Sequence, residues 1–241
     1  MTRKWVNVLR HGILSMCLVL MSWAAFAEIE SDLSEATQST IPPPKLKVSS
    51  WLLMDASTGL TLAAQRADTP VEPASLTKLM TAYVVFREIE RGTVKLDDVV
   101  LVSEKAWRSE GSRMFIEAGD KVQIKNLLMG LIVQSGNDSA VALAEHIAGS
   151  EEGFVDLMNQ TAAELGMANS HFVNSAGMPH PDHYTTARDV TLLTRAIIDQ
   201  QPDHYAMYAI REFTWNDITQ KNRNPLLGRD SSIDGVKTGH T

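Results

Sequence analysis

The 241-residue chain holds one cysteine, Cys17. That residue sits in a segment, Met1 to Ala27, with the marks of a signal peptide. Arg3, Lys4 and Arg10 give a basic start, Ile13 to Ala25 is almost wholly apolar, and Ala25-Phe26-Ala27 supplies a small-x-small cleavage sequence. Met16 stands where a lipid-attachment site would need a small residue. Cleavage after Ala27 leaves a mature protein without a thiol, which excludes disulfides and cysteine nucleophiles. Long apolar runs are also lacking: residues 13–25 fall short of the roughly 20 that span a bilayer, so a cleaved leader is expected and not an anchor. Clustered positive charge is the third absence. The net charge is −7, and loss of the signal's three basic residues takes the mature chain to −10. Nucleic acid is therefore not an expected partner, because phosphate binding draws on grouped Lys and Arg. Aromatics are few, and of the five tryptophans Trp5 and Trp23 leave with the signal. Trp51 is expected in the core; Trp107 and Trp215 could line a cleft, with core or edge packing the stronger expectation.

Glu28 to Leu46 is polar and then proline-rich (Pro42-Pro43-Pro44), which reads as an extended leader. No internal repeat is seen, and residues 47–241 read as one domain. Val48 to Asp55 and Leu60 to Ala64 flank the turn signal Ser57-Thr58-Gly59, so a β-hairpin is expected. Five helices follow from the spacing of apolar residues: 75–91, stopped by Gly92; 123–133; the alanine-rich 138–148; 153–165; and 186–199, with Thr185 or Thr186 as its cap. A strand over 211–215 and another beginning at 234–239 complete the order. Strands, then helices, then strands indicate an α+β fold, in which strands from both chain ends could share one antiparallel sheet flanked by a helical cluster. The last strand begins just before Thr241, and the expectation is a piece of a longer protein with its C-terminal strands missing.

Three short motifs carry chemistry. Ser75-Leu76-Thr77-Lys78 opens the first helix behind Pro73 and Ala74. A three-residue separation places Lys78 on the same helical face as Ser75, within reach of its hydroxyl. Burial and the positive end of the helix dipole both favour a neutral lysine able to take the serine proton. Ser135-Gly136-Asn137 joins two helices, so a tight turn could bring a hydroxyl and a carboxamide into a cleft. Lys237-Thr238-Gly239 on a cleft-lining strand would offer a cation and a hydroxyl to a carboxylate. Glycine there leaves room for substrate along the strand edge, and the next backbone N–H, of His240, could join that of Ser75 as an oxyanion hole. Each motif alone is compatible with an ordinary helix start, helix cap or edge strand.

The three together, each occurring once and in this order, are the set found in class A β-lactamases and penicillin-binding proteins. The chain from about Val48 to Thr241 resembles the low-molecular-mass penicillin-binding proteins of the D-alanyl-D-alanine carboxypeptidase type. Further matching stretches are Asn174-Ser175-Ala176-Gly177 with Thr185 to Asp189, and Asp234 to Thr241. The resemblance implies a penicillin-binding/β-lactamase-like fold. It implies Ser75 as nucleophile, Lys78 as its base, Ser135 and Asn137 as aids to proton transfer and substrate positioning, and Lys237 and Thr238 as holders of the terminal carboxylate. Gly239 and His240 complete that edge, and Arg223 in Asn222-Arg223-Asn224 matches an arginine near the family's cleft. The implied reaction is a two-step acyl transfer on peptidoglycan stem peptides in the periplasm, without metal or cofactor, with β-lactams acylating the same serine. Family members continue into more strands, a small β-rich domain and an amphipathic helix that associates with the inner-membrane surface.

Rival readings have their own signatures. A class A β-lactamase needs a glutamate-bearing loop before the third motif, and between Gly166 and Asp189 there is no glutamate. A D,D-endopeptidase would carry the same three motifs. A non-catalytic wall-binding module would have no use for a serine-lysine pair. His180-Pro181-Asp182-His183 has a suggestive metal-ligand spacing with His171 nearby, but Pro181 precludes a helical ligand pair, and the segment reads as a solvated loop.

Overall fold

The structure, a computed structural model, describes residues 42, 43 and 45–240. The signal peptide and most of the leader lie outside them. Everything that follows lies within the unit Lys47–Thr241.

The hairpin β1 (Trp51–Met54) and β2 (Thr61–Gln65) forms an antiparallel ladder from Trp51↔Gln65 to Met54↔Thr61, with a bulge between Leu53 and Met54. Its turn is set by Asp55, whose carboxylate accepts from Ser57 Oγ and from the Thr58 amide, and by Gly59 at φ +76°. After the 3₁₀ turn Ala74–Leu76 comes α1 (Thr77–Glu90), in which every residue from Thr77 to Phe86 is buried. A helix that is apolar on all sides has to lie inside the molecule. It packs against α4 (Asn137–Ala148), α5 (Glu151–Glu164) and α6 (Ala187–Gln200). Alanines in α4 allow that close approach, while Leu79, Val85, Phe86, Leu143 and Phe154 fill the core between the helices. Each such side chain contributes about 1.5–3 kcal/mol by leaving water.

Around this centre lie β3 (Val99–Leu101), α2 (Glu104–Trp107), β4 (Lys121–Gln123), α3 (Ile124–Met129) and the short α7 (Pro202–Tyr205). The strand at Glu212–Trp215 (β5) is half of a hairpin with β6 (Ile218–Lys221), joined by Asn216 and Asp217 with both φ positive. That is the backbone of a type I′ turn, which fits the twist of paired strands. Helix caps follow the sequence closely. Ser103, Ser150 and Thr186 each accept a backbone N–H from three residues ahead.

The fold is α+β, as expected, with two departures from expectation. The described strands form three separate two-stranded antiparallel ladders, not one sheet built from both chain ends. Residues 234–240 form no strand ladder. An extended segment becomes a strand only beside a neighbour that accepts and returns its hydrogen bonds. Here the chain lies against Pro73 and Leu76, and the carbonyl of Gly235 is taken by Asn224 Nδ2. The second departure is the helix over 123–133. It is α-helical only to Met129 and continues as a π-helical segment, Gly130–Gln134.

Candidate active site

Ser75 lies in the 3₁₀ turn that feeds α1, directly behind Ala74 at φ +45°. Gly177 fits tightly beneath this turn: a β-carbon there would fall 1.8 Å from the Ala74 carbonyl oxygen. Lys78 is 1% exposed. Its Nζ lies 3.3 Å from Ser75 Oγ and donates to the Ala176 carbonyl at 2.5 Å. Burial pushes the Lys78 ammonium down to about 7, helped by the nearby cations Lys237 and Arg223 and opposed by Asp138. Near neutral pH a large share of this amine is therefore unprotonated.

Ser135 ends the π-helical segment in the left-handed conformation, φ 67° and ψ 37°, and is 2% exposed. This backbone turns its hydroxyl toward Lys237, whose Nζ donates to Ser135 Oγ at 2.9 Å. Burial first, and then Arg223, holds Lys237 down to about 7 as well. The Arg223 backbone is tied to the same segment through a bond from its N–H to the Val133 carbonyl.

Asn137 begins α4. Its backbone N–H donates to the Ser112 carbonyl at 2.7 Å, and its Nδ2 donates to the Glu110 carbonyl at 2.6 Å and lies 3.5 Å from Met178 Sδ. The next residue, Asp138, is fully buried and accepts from the amides of Met114 and Phe115. Together these bonds clamp residues 110–116 to the start of α4 and set Ser112 into the cleft.

The cleft has a volume of about 380 Å³ and is lined by Ser75, Ser112, Ser135, Arg223, Thr238, Gly239 and His240. Nine sequence-chosen residues converge on this region. Lys78 and Lys237 reach its walls through Ser75 and Ser135. Asn137 stands behind the wall, with its amide engaged by Glu110 and not open to the cleft. No carboxylate is among the lining residues, which matches the missing glutamate between 166 and 189. Trp107 and Trp215 do not line it: Trp107 is exposed beside Arg108, and Trp215 packs on the core.

Three participants were not singled out from sequence. Ser112 had no motif around it. Ala176 contributes only a backbone carbonyl, which no side-chain pattern announces. His183 was read as part of a solvated loop, yet it is 2% exposed. It lies 2.8 Å from Thr77 Oγ1 and accepts the Val173 N–H at Nδ1. Burial, with smaller effects from His171 and His180, holds it down to about 4, so it is neutral at pH 7. The error came from Pro181 and Asp182, which are exposed, and whose polarity hid the turn inward one residue later. Among the described residues no group of His, Cys, Asp and Glu is placed to hold a metal.

The sequence profile of the family described as D-alanyl-D-alanine carboxypeptidase matches residues 36–241. The chain belongs to that family. It is 45% identical over 206 residues to the D-alanyl-D-alanine carboxypeptidase DacD of Escherichia coli K12, covering 83% of this chain and 53% of the relative. It is 41% identical over 229 residues to DacC of the same organism, covering 92% of this chain and 57% of the relative. The chain thus spans about half the length of these curated relatives. Among solved structures, it is similar to penicillin binding protein 6B from Escherichia coli, with a TM-score of 0.80 at 44% identity, covering 84% of this chain and 66% of that one. It is similar also to DacD from Francisella tularensis, with a TM-score of 0.81 at 35% identity, covering 85% and 62%.

Proposed function

We propose that this chain carries the catalytic domain of an exported serine D-alanyl-D-alanine carboxypeptidase that trims peptidoglycan stem peptides and is acylated by β-lactams. In this reading residues 1–27 are the signal peptide, 28–46 a leader and 47–241 the penicillin-binding domain. The observation that carries it is the pairing of a buried, weakly basic Lys78 with Ser75, 3.3 Å apart, at the floor of a cleft. The opposite wall presents Lys237 and Ser135.

The roles follow from position. Lys78 Nζ takes the Ser75 hydroxyl proton as Oγ attacks the carbonyl carbon between the two D-alanines. The backbone N–H groups of Ser75 and His240 receive the developing oxyanion. The C–N bond then breaks. The departing D-alanine amine gains a proton relayed through Ser135, and the rest of the peptide remains as an ester on Ser75. Water attacks that ester, the C–O bond to Ser75 breaks, and Oγ recovers a proton. Lys237, Thr238 and Arg223 supply charge and hydrogen bonds for the terminal carboxylate, Gly239 leaves room for the peptide, and Asn137 supports the wall. Export rests on the pattern of Met1 to Ala27. Among the described residues no helix is long and apolar enough to cross a membrane, and peripheral attachment to the inner-membrane surface is a finer reading taken from the family.

Intact-mass analysis of the full-length protein after incubation with a penicillin tests the reading. A covalent adduct in the parent and none in Ser75→Ala is expected. Folded parent protein with neither an adduct nor drug turnover would overturn it. Release of D-alanine from pentapeptide stems supports the carboxypeptidase assignment, and cleavage of cross-links in its place would replace it with an endopeptidase.

A further inference from the structure

We propose that His183 is a positioning residue for Lys78, acting through Thr77 and the Ala176 carbonyl; this rests on the acyl-enzyme reading above. The geometry begins with the tautomer. His183 Nδ1 accepts the Val173 N–H at 3.2 Å, so the ring proton sits on Nε2 and is donated to Thr77 Oγ1 at 2.8 Å. An edge-on contact with Phe172, 5.7 Å between ring centres, fixes the ring plane. His183 thereby closes the loop from Val173 to itself and fastens it to the residue immediately before Lys78.

Inside that closed span the loop is braced twice more. Ser175 donates through its N–H and its hydroxyl to Glu151 Oε1, and its carbonyl accepts from Thr81 Oγ1 at 2.6 Å. Asn174 Oδ1 accepts the amides of Ala176, Gly177 and Met178. All of these bonds fix one atom, the Ala176 carbonyl oxygen against Lys78 Nζ. A neutral amine has two N–H donors and one lone pair. With one N–H committed to Ala176, rotation about the last side-chain bond is restricted, and the lone pair can be held toward Ser75 Oγ. Loosening the loop leaves Lys78 in place on α1 but frees that rotation.

The test follows acylation of the full-length protein by a penicillin over time and concentration, separating the affinity of the initial complex from the first-order acylation constant. His183→Asn keeps an acceptor for Val173 but falls short of Thr77, and His183→Gln keeps the donor for Thr77 without the acceptor. Both should lower the first-order constant by on the order of tenfold while leaving the initial affinity unchanged, since misalignment of a reacting group costs rate and not binding. Thr77→Val should do the same, Thr77→Ser should retain the parent constant, and adding Thr77→Val to His183→Asn should cost nothing more. Folded His183 variants that acylate at the parent constant, or that lose affinity and rate together, would overturn the inference. If the His183 variants do not fold, equal constants for Thr77→Val and Thr77→Ser would overturn it in their place. A parent that is never acylated overturns the acyl-enzyme reading itself, and the inference with it.

Discussion

Lys78 stands in the first turn of a helix that is buried from Thr77 to Phe86, with its amine against a backbone carbonyl in a loop braced at both ends. Lys237, on the other side of the cleft, belongs to a segment without ladder hydrogen bonds, held by its own bond to Ser135 and by Asn224 against Gly235. One wall is an outgrowth of the core, and the other is attached to it by a few side-chain contacts. The difference matches the two tasks proposed for them. Proton transfer needs atoms placed to a fraction of an ångström, whereas recognition of a carboxylate depends mainly on charge and tolerates some adjustment of the chain.

The largest effect is expected from the rigid wall. Lys78→Met should lower penicillin acylation by roughly a thousandfold, the scale of a lost general base, with binding before the chemical step retained. In the parent the acylation rate should climb with pH through about 7 as Lys78 gives up its proton. A flat profile across that range would remove Lys78 from the base role. Next comes Gly177→Ala. Its β-carbon would collide with the Ala74 carbonyl, and residue 177 has φ +84°, so a stability loss of about 2–4 kcal/mol in urea unfolding is expected. The same change at Gly119, which meets nothing within 4 Å, isolates the cost of the positive φ from that of the collision. The smallest effect belongs to the looser wall. Lys237→Met should weaken initial binding of a carboxylate-bearing drug by about tenfold to a hundredfold, corresponding to one charged hydrogen bond of about 1.5–3 kcal/mol. Because Lys237 helps to hold the Lys78 amine below its usual range, the midpoint of the pH profile should also move upward. An unchanged midpoint would mean that the two walls do not communicate electrostatically.

What the sequence made legible divides along the same line. The helices around Lys78 were readable because amphipathic spacing and the Ser and Thr caps are local signals. The π-helical turn at Gly130–Gln134 was not: Gly130 to Val133 are apolar or small and all buried, and they mark no face by which to detect the wider turn. The strand expected over 234–239 failed because strand formation is a property of a pair, and composition reports on only one partner. Strand β6 was missed although Asn216-Asp217 is a fair hairpin turn, since Ile-Thr-Gln-Lys buries little and alternates weakly. At the site, side-chain chemistry located the serine, both lysines and their motifs. It was silent about Ala176, whose contribution is a carbonyl shared by every amino acid.

That silence has an evolutionary side. A contact supplied by the main chain is not deleted by trimming the side chain of the residue that makes it, and Ala176, 4% exposed in the core, has little side chain to lose. Selection by a β-lactam therefore reaches this atom only by moving the backbone. It would have to reshape the loop through Asn174, Ser175, Gly177 or His183, each of which holds several bonds or a tight fit at once, and each such change would unsettle the proposed acyl transfer together with the proposed acylation by the drug.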